Sequence, residues 1–105
     1  MRADTADTAA SSQPTASAPH PQRVTCFAIR AIADPGLMPR VLEVFAKRGM
    51  TPERWHADRM GPERDELAID LQVADLGQHE SAFLARVLRR IWGVEAVLTS
   101  DKDFA

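Results

Sequence analysis

The sequence predicts an α+β fold in which a four-stranded antiparallel sheet carries two helices on one face. Four segments have the composition or alternation of β-strands and two have helical periodicity, and their order along the chain is β-α-β-β-α-β. Two βαβ-like halves in this order form a ferredoxin-like sandwich. Right-handed crossovers then predict the spatial strand order 4-1-3-2.

The chain of 105 residues has room for one domain. Residues 1–22 are largely Ala, Ser, Thr and Pro, with Met1 as their only large apolar residue. Such a stretch cannot bury enough apolar surface to offset its ordering entropy, so we expect a disordered N-terminal tail. The domain is expected at 23–100, and 101–105, which show no secondary-structure signal, are expected to form a C-terminal tail. So small a core favours oligomerisation.

The first half of the domain predicts a central strand and then a helix. Residues 23–31 are apolar or β-branched on both faces, as in a well-covered strand, and they lead to the turn signal Asp34-Pro35-Gly36. Pro39 lies in the first helical turn, where a missing N–H is tolerated. Gly49 is expected to end the helix in a left-handed conformation. The apolar stripe of this helix consists of Leu37, Val41, Val44 and Phe45.

The second half predicts two strands, a helix and a last strand. Residues 52–60 are polar on both faces and contain Pro52, which is typical of an edge strand. Apolar residues alternate clearly over 66–74. Asp75 is expected to cap the second helix, with Gln78 as its capping-box partner. That helix spans 78–91, the last strand follows Gly93 over 94–99, and the helical stripe is Phe83, Leu84, Val87, Leu88 and Ile91.

Charge and composition argue against several classes of function. The net charge of −2 lacks the basic footprint of a general nucleic-acid-binding domain, and Phe27 is the only aromatic residue on the predicted central strands. No stretch reaches the roughly 18 apolar residues of a membrane span, and the N-terminal residues contain no apolar run typical of a secretory signal. The single cysteine, Cys26, fits a reducing cytoplasmic location and an inert core thiol.

Few side chains suggest catalysis. The sequence contains no nucleophile elbow, phosphate-binding loop, zinc-protease motif or dinucleotide-binding motif. His56 and Asp58 share a strand face that His79 could approach, but their spacing is not that of a metal site. We therefore predict no catalytic residue, no metal and no cofactor.

The junction of the first strand and helix is the strongest candidate for a binding site. Gly36 brings backbone N–H groups close to the surface at a helix N-terminus, where the helix dipole favours a carboxylate such as that of a free amino acid. An alternative remains open, in which the Asp-Pro-Gly sequence only caps the helix.

Residues 33–49 read Ala-Asp-Pro-Gly-Leu-Met-Pro-Arg-Val-Leu-Glu-Val-Phe-Ala-Lys-Arg-Gly. This run resembles the first turn and helix of an ACT domain, and especially those of the small regulatory subunit of acetolactate (acetohydroxyacid) synthase. In that family a Pro-Gly-Leu-like turn precedes Arg-Val, Phe and Arg-Gly. The second half, with its 78–91 helix and a Val-x-x-Val strand, agrees more loosely, and the resemblance covers about 24–99. The matching residues are Gly36, Leu37, Arg40, Val41, Phe45, Arg48 and Gly49.

The resemblance implies a homodimer in which two sheets join at an edge strand and the first helices pack together. It also implies an amino-acid site at the interface, enclosed by Ala33, Asp34, Gly36 and Leu37 of one chain and by Thr51 and Pro52 of the other. Two departures from the family weaken that site. Ala33 stands where an Asp or Asn is usual, and Thr51-Pro52 replaces Asn-Ile. Each lost polar contact costs about 1–3 kcal/mol of binding energy.

The function that the resemblance implies is that of a non-catalytic subunit. It would bind and activate the catalytic subunit of acetolactate synthase in branched-chain amino acid biosynthesis, with valine as the expected type of ligand. Thiamine diphosphate and magnesium would belong to that partner. Arg54, Trp55 and His56 are the predicted docking residues, unless Trp55 covers the domain's own core. The alternative is a free-standing homodimeric ACT sensor of amino acids.

Overall fold

The computed structural model describes residues 22–104, and their order of elements confirms the predicted fold. The strands form one antiparallel sheet in the order β2-β3-β1-β4, which is the predicted order 4-1-3-2. The polar strand β2 is accordingly at an edge, as its composition indicated. The elements are β1 (Gln22–Ile32), α1 (Leu37–Ala46), β2 (Arg54–Met60), β3 (Glu66–Ala74), α2 (Gln78–Arg89) and β4 (Val94–Phe104).

The core lies between the two helices and one face of the sheet. Because strand side chains alternate between faces, every second residue of the central strands points at the helices. The Phe27 ring meets the Phe45 ring of α1 edge to face, with centroids 5.6 Å apart. The other fully buried large side chains of this core include Ile29, Leu37, Val41, Ile69, Leu71, Leu84 and Leu88.

Helix α1 begins and ends close to the predicted positions. Gly36 is its N-cap residue. After Ala46 the chain turns at Gly49, whose φ of 70° is the left-handed conformation that the sequence predicted there. The Arg48 guanidinium donates to the Val44 carbonyl at 2.7 Å and so satisfies one of the last carbonyl groups of the helix.

The predicted cap of α2 at Asp75, with Gln78 as partner, is wrong by two residues. Gly77 is the N-cap residue, and its N–H donates to Glu80 Oε1 at 3.2 Å. Asp75 instead remains attached to the sheet, because its N–H donates to the Arg23 carbonyl at 2.9 Å and its φ is 63°. Only half of a capping box is therefore present, because glycine has no side chain to accept an N–H of the first turn.

The prediction that Phe83 belongs to the buried stripe of α2 is also wrong. Its side chain is 44% exposed. The other members of the predicted stripe face the core, since Leu84 and Leu88 are buried and Val87 and Ile91 pack against it, and Ala85 is also buried. The Phe83 ring lies instead beneath two guanidinium groups, with Arg48 at 5.2 Å and Arg86 at 5.9 Å from its centroid.

Strand β4 is longer than the sequence indicated. It continues to Phe104, so residues 101–104, expected to form a C-terminal tail, extend the strand instead. The reason is the length of β1, which offers a pairing partner as far back as Gln22. The buried Thr25 hydroxyl also donates to Asp101 Oδ1 at 3.1 Å. The predicted disorder of 1–22 concerns residues outside the described part, except Gln22, which begins β1.

Gly93 provides a test of the packing where β4 begins. Its φ is 96°, and a Cβ placed there would lie 2.9 Å from Ile32 Cγ1 and 3.1 Å from Leu37 Cδ2. Gly93→Ala should lower the free energy of unfolding by about 2–4 kcal/mol, from strain and collision together. Gly49→Ala is the matched control, because nothing lies within 4 Å of its Cβ position and only the positive φ remains. If urea denaturation showed the same loss of unfolding free energy for Gly93→Ala and Gly49→Ala, this account would be contradicted.

Candidate ligand site and docking surfaces

The turn between β1 and α1 contains the four predicted ligand-binding residues 33, 34, 36 and 37. The Ala33 N–H donates to the Asp65 carbonyl at 2.9 Å, which ties this turn to the turn between β2 and β3. The Leu37 N–H donates to the Asp34 carbonyl at 2.9 Å. The Leu37 side chain is fully buried in the core, and those of Ala33 and Asp34 are half-buried. Asp34 therefore supplies the polar side chain of the turn.

The Asp34 carboxylate binds the start of α1 from within the chain. Its Oδ2 accepts the Gly36 N–H at 2.9 Å and lies 3.5 Å from the Arg40 guanidinium. A Cβ at Gly36 would lie 3.0 Å from the Arg40 guanidinium and 3.2 Å from the Asp34 carboxylate, so a larger residue there would require the Arg40 side chain to shift. The Gly36 N–H, which the sequence suggested for the carboxylate of a ligand, thus already donates to Asp34.

Thr51 and Pro52 lie at the opposite end of the domain from this turn. Helix α1 separates them, and its 10 residues span about 15 Å. The Glu53 N–H donates to the Gln72 carbonyl at 2.7 Å, near the end of β3, whereas Asp65 precedes the start of β3. A single copy of the chain therefore separates the predicted ligand-binding residues into two groups.

The three predicted docking residues lie on two faces of β2. Trp55 packs against the core on the helix side and is half-buried. Arg54 and His56 are exposed on the other side. His56 Nε2 lies 2.9 Å from Asp58 Oδ2 on the same strand.

Arg54 and His56 belong to a larger surface, which we name the open face. It is the face of the sheet that points away from the helices, and strand register places its members in rows across the four strands. One row runs from His56 through Asp70 and Ala28 to Leu98. The open face includes Cys26, Ala28, Arg30, Arg54, His56, Asp58, Met60, Glu66, Ala68, Asp70, Gln72, Ala96, Leu98, Ser100 and Lys102.

Two exposed apolar features were not predicted from the sequence. A hollow of about 440 Å³ lies between α2 and the segment that follows α1, and Phe83 and Arg48 are among the residues that line it. Trp92, in the turn before β4, is 70% exposed. Neither feature has a sequence signal, because Phe83 fits a helical stripe and a single tryptophan in a turn has no periodic context.

Residues 22–104 contain no cluster of metal-ligating side chains and no membrane-spanning helix. No group of three or more His, Cys, Asp or Glu side chains in this range is arranged to hold a metal ion. His56 and Asp58 contact each other, but His79 is at the start of α2. Of the helices described, none has the length and apolar character needed to cross a membrane.

Comparison with known proteins gives one family match and a set of similar folds. Residues 19–103 match the model of a family described as ACT-like domain. No curated protein matches the sequence.

Several solved structures share the fold at low sequence identity. The ACT domain of GTP pyrophosphokinase from Chlorobium tepidum is 14% identical, with a TM-score of 0.63 over 75% of this chain and 99% of that one. The C-terminal domain of the MgtC protein from Mycobacterium tuberculosis is 11% identical, with a TM-score of 0.64 over 82% and 94%. The regulatory subunit of aspartate kinase from Thermus thermophilus is 20% identical, with a TM-score of 0.57 over 80% and 56%. At these identities the likeness concerns the fold alone.

Removing the Asp34 carboxylate tests whether this side chain caps α1. Asp34→Ala should lower the free energy of unfolding by about 1 kcal/mol, because the Gly36 N–H loses its acceptor. Asp34→Asn retains an acceptor oxygen and should cost less than half as much. Urea denaturation of both variants measures the difference. If both substitutions cost the same, the charge beside Arg40 and not the cap is the stabilising feature.

Proposed function

Since the chain belongs to the ACT-like domain family, we propose that it is a non-catalytic regulatory subunit that activates the catalytic subunit of acetolactate synthase in the cytoplasm. The observation that carries this proposal is the run 33–49, the segment that resembles acetolactate synthase small subunits. Its residues fold as one continuous turn and helix, with Gly36 at the start of the helix and Gly49 in the left-handed conformation after it. The partner would supply the cofactors and the chemistry.

The edge strand β2 supports a homodimer. It pairs with β3 on one side, and its other side is an edge of the sheet. An edge strand presents unpaired N–H and C=O groups, which a second copy can satisfy by antiparallel pairing. Trp55 and Ala57, on the helix side of β2, are only half-buried and would gain cover from the second copy. The proposed dimer therefore joins two sheets at β2 and brings the two α1 helices together.

This dimer would complete the ligand site. A two-fold axis at β2 reverses the second copy, so that its Thr51 and Pro52 approach the Asp34 turn of the first copy. Because the Asp34 carboxylate already accepts the Gly36 N–H, a ligand carboxylate has no free donor there. We propose instead that the ammonium group of the ligand pairs with the Asp34 carboxylate. The exposed Arg40 guanidinium beside it is then available to the ligand's carboxylate. Pro52 has no N–H and Thr51 no amide, so binding of valine should be weak.

The direct test is the rate of acetolactate formation. The purified catalytic subunit of the same organism should become more active when the full-length chain is added, with a saturable dependence on its concentration. Valine should inhibit the activated complex only weakly, because the polar contacts at positions 33, 51 and 52 are missing. If the rate of acetolactate formation stayed unchanged at a saturating concentration of the chain, the proposal would be contradicted. A rise in the melting temperature of the chain on addition of an amino acid would then favour the free-standing sensor.

Docking is proposed at the open-face side of β2. Arg54→Ala and His56→Ala should each raise the concentration needed for half-maximal activation about tenfold, while stability changes by less than about 0.5 kcal/mol. Trp55→Ala should act differently and lower the free energy of unfolding by about 1–3 kcal/mol, because Trp55 packs against the core. Arg90→Ala, an exposed arginine at the end of α2, is the control. Docking at this edge would be excluded if neither Arg54→Ala nor His56→Ala altered activation.

A further inference from the structure

The backbone groups that point away from the sheet at its two edges can be identified from the hydrogen bonds of β1. In an antiparallel sheet, successive residues of a strand direct their N–H and C=O groups to opposite sides. The Asp75 N–H donates to the Arg23 carbonyl, and the Ala33 N–H donates to the Asp65 carbonyl. Odd-numbered residues of β1 therefore face β3, and even-numbered residues face β4.

The strand registers extend this alternation to both edges of the sheet. Even-numbered residues of β1 pair with even-numbered residues of β4, and even-numbered residues of β3 pair with even-numbered residues of β2. The odd-numbered residues of the two edge strands consequently direct their backbone groups outward. These outward residues are Trp55, Ala57 and Arg59 in β2 and Val97, Thr99, Asp101 and Asp103 in β4.

Arg89, in the last turn of α2, lies across the outer edge of β4. Its guanidinium donates to the Val97 carbonyl at 2.8 Å in a partly buried hydrogen bond. Because this carbonyl is one of the outward groups, a strand that paired with β4 would have to displace the arginine. The edge of β2 differs, since the Arg59 guanidinium donates to the Arg64 carbonyl in the following turn.

The rest of the β4 edge is unsuited to pairing for two other reasons. The register between β1 and β4 shifts between Arg30 and Ala31, and such a bulge disrupts the ladder at the start of β4. The outward residues of the far half are Asp101 and Asp103, and like charges on facing strands oppose the pairing of two copies. Neither obstacle applies to residues 97–99, and this is the stretch that Arg89 covers.

We infer that Arg89 closes the β4 edge, so that a second copy of this chain can pair with the sheet only at β2. The inference deepens the proposed dimer, because it accounts for an assembly that ends at two copies. Two copies joined at β2 would otherwise carry a free β4 edge at each end. Pairing at those edges would add further copies without a limit.

Sedimentation velocity of the full-length chain over a range of concentrations tests the role of Arg89. Arg89→Met keeps the length of the side chain and removes its donors. This variant should form species of at least twice the wild-type mass at high concentration. Arg90→Met is the matched control, because it removes the same charge from the exposed neighbouring residue at the C-cap of α2. It should keep the wild-type mass at every concentration.

A proline on the edge of β4 separates strand pairing from unspecific aggregation. The Thr99 N–H points outward, so Thr99→Pro blocks the edge without removing a hydrogen bond between β1 and β4. The double variant of Arg89→Met and Thr99→Pro should return to the wild-type mass. If the proline prevents folding, Thr99→Lys should give the same return, because it places a charge on the edge.

Three results would overturn the inference. The first is an equal mass for the wild type and Arg89→Met at all concentrations. The second is a larger species that persists with both substitutions of Thr99. The third is a larger species in Arg90→Met, which would assign the effect to lost charge. A monomeric wild type would contradict the pairing at β2 instead, and Arg89→Met would still have to exceed the wild-type mass.

Discussion

Two helices can cover only one face of a four-stranded sheet, and this limit governs what the molecule presents to others. The alternation of β3 directs Leu67, Ile69 and Leu71 to the helices and leaves Asp70 and Gln72 on the other side. The core is therefore built from half of each strand. Binding surfaces remain on the open face, along the unpaired side of β2 and at the turns between strands and helices. A chain of this size meets other molecules through the same sheet that forms its core.

Most of the fold could be predicted because it depends on periodicity and on the handedness of crossovers. The strong alternation of β3 and the polarity of β2 were sufficient to place one strand inside the sheet and the other at its edge. The errors occur where tertiary contacts select between local alternatives. Asp75 is a good capping residue, but its hydrogen bond to Arg23 holds it in the sheet. Phe83 fits a helical stripe, but its ring lies at the exposed margin of that stripe, in contact with two arginines.

The candidate site was less predictable than the fold, for two physical reasons. The residues suggested by resemblance are divided between the two ends of one copy, and a sequence cannot reveal which second molecule would unite them. The role of Asp34 is decided by geometry at the level of single atoms. Its side chain could face a ligand or its own backbone, and only the structure shows that it accepts the Gly36 N–H. Composition alone does not distinguish these cases.

The close packing at Gly93 connects parts of the molecule that are distant in sequence. The Ile32 N–H donates to the Gly93 carbonyl at 2.9 Å, and the glycine lies against both Ile32 and Leu37. The end of β1, the start of α1 and the start of β4 therefore behave as one rigid unit. Any displacement of the Asp34 turn has to be transmitted into β4, the strand from which Leu98 projects. Because Gly93 is closely packed on both sides, a shift of the segment around Ile32 and Leu37 is expected to move the start of β4 as well.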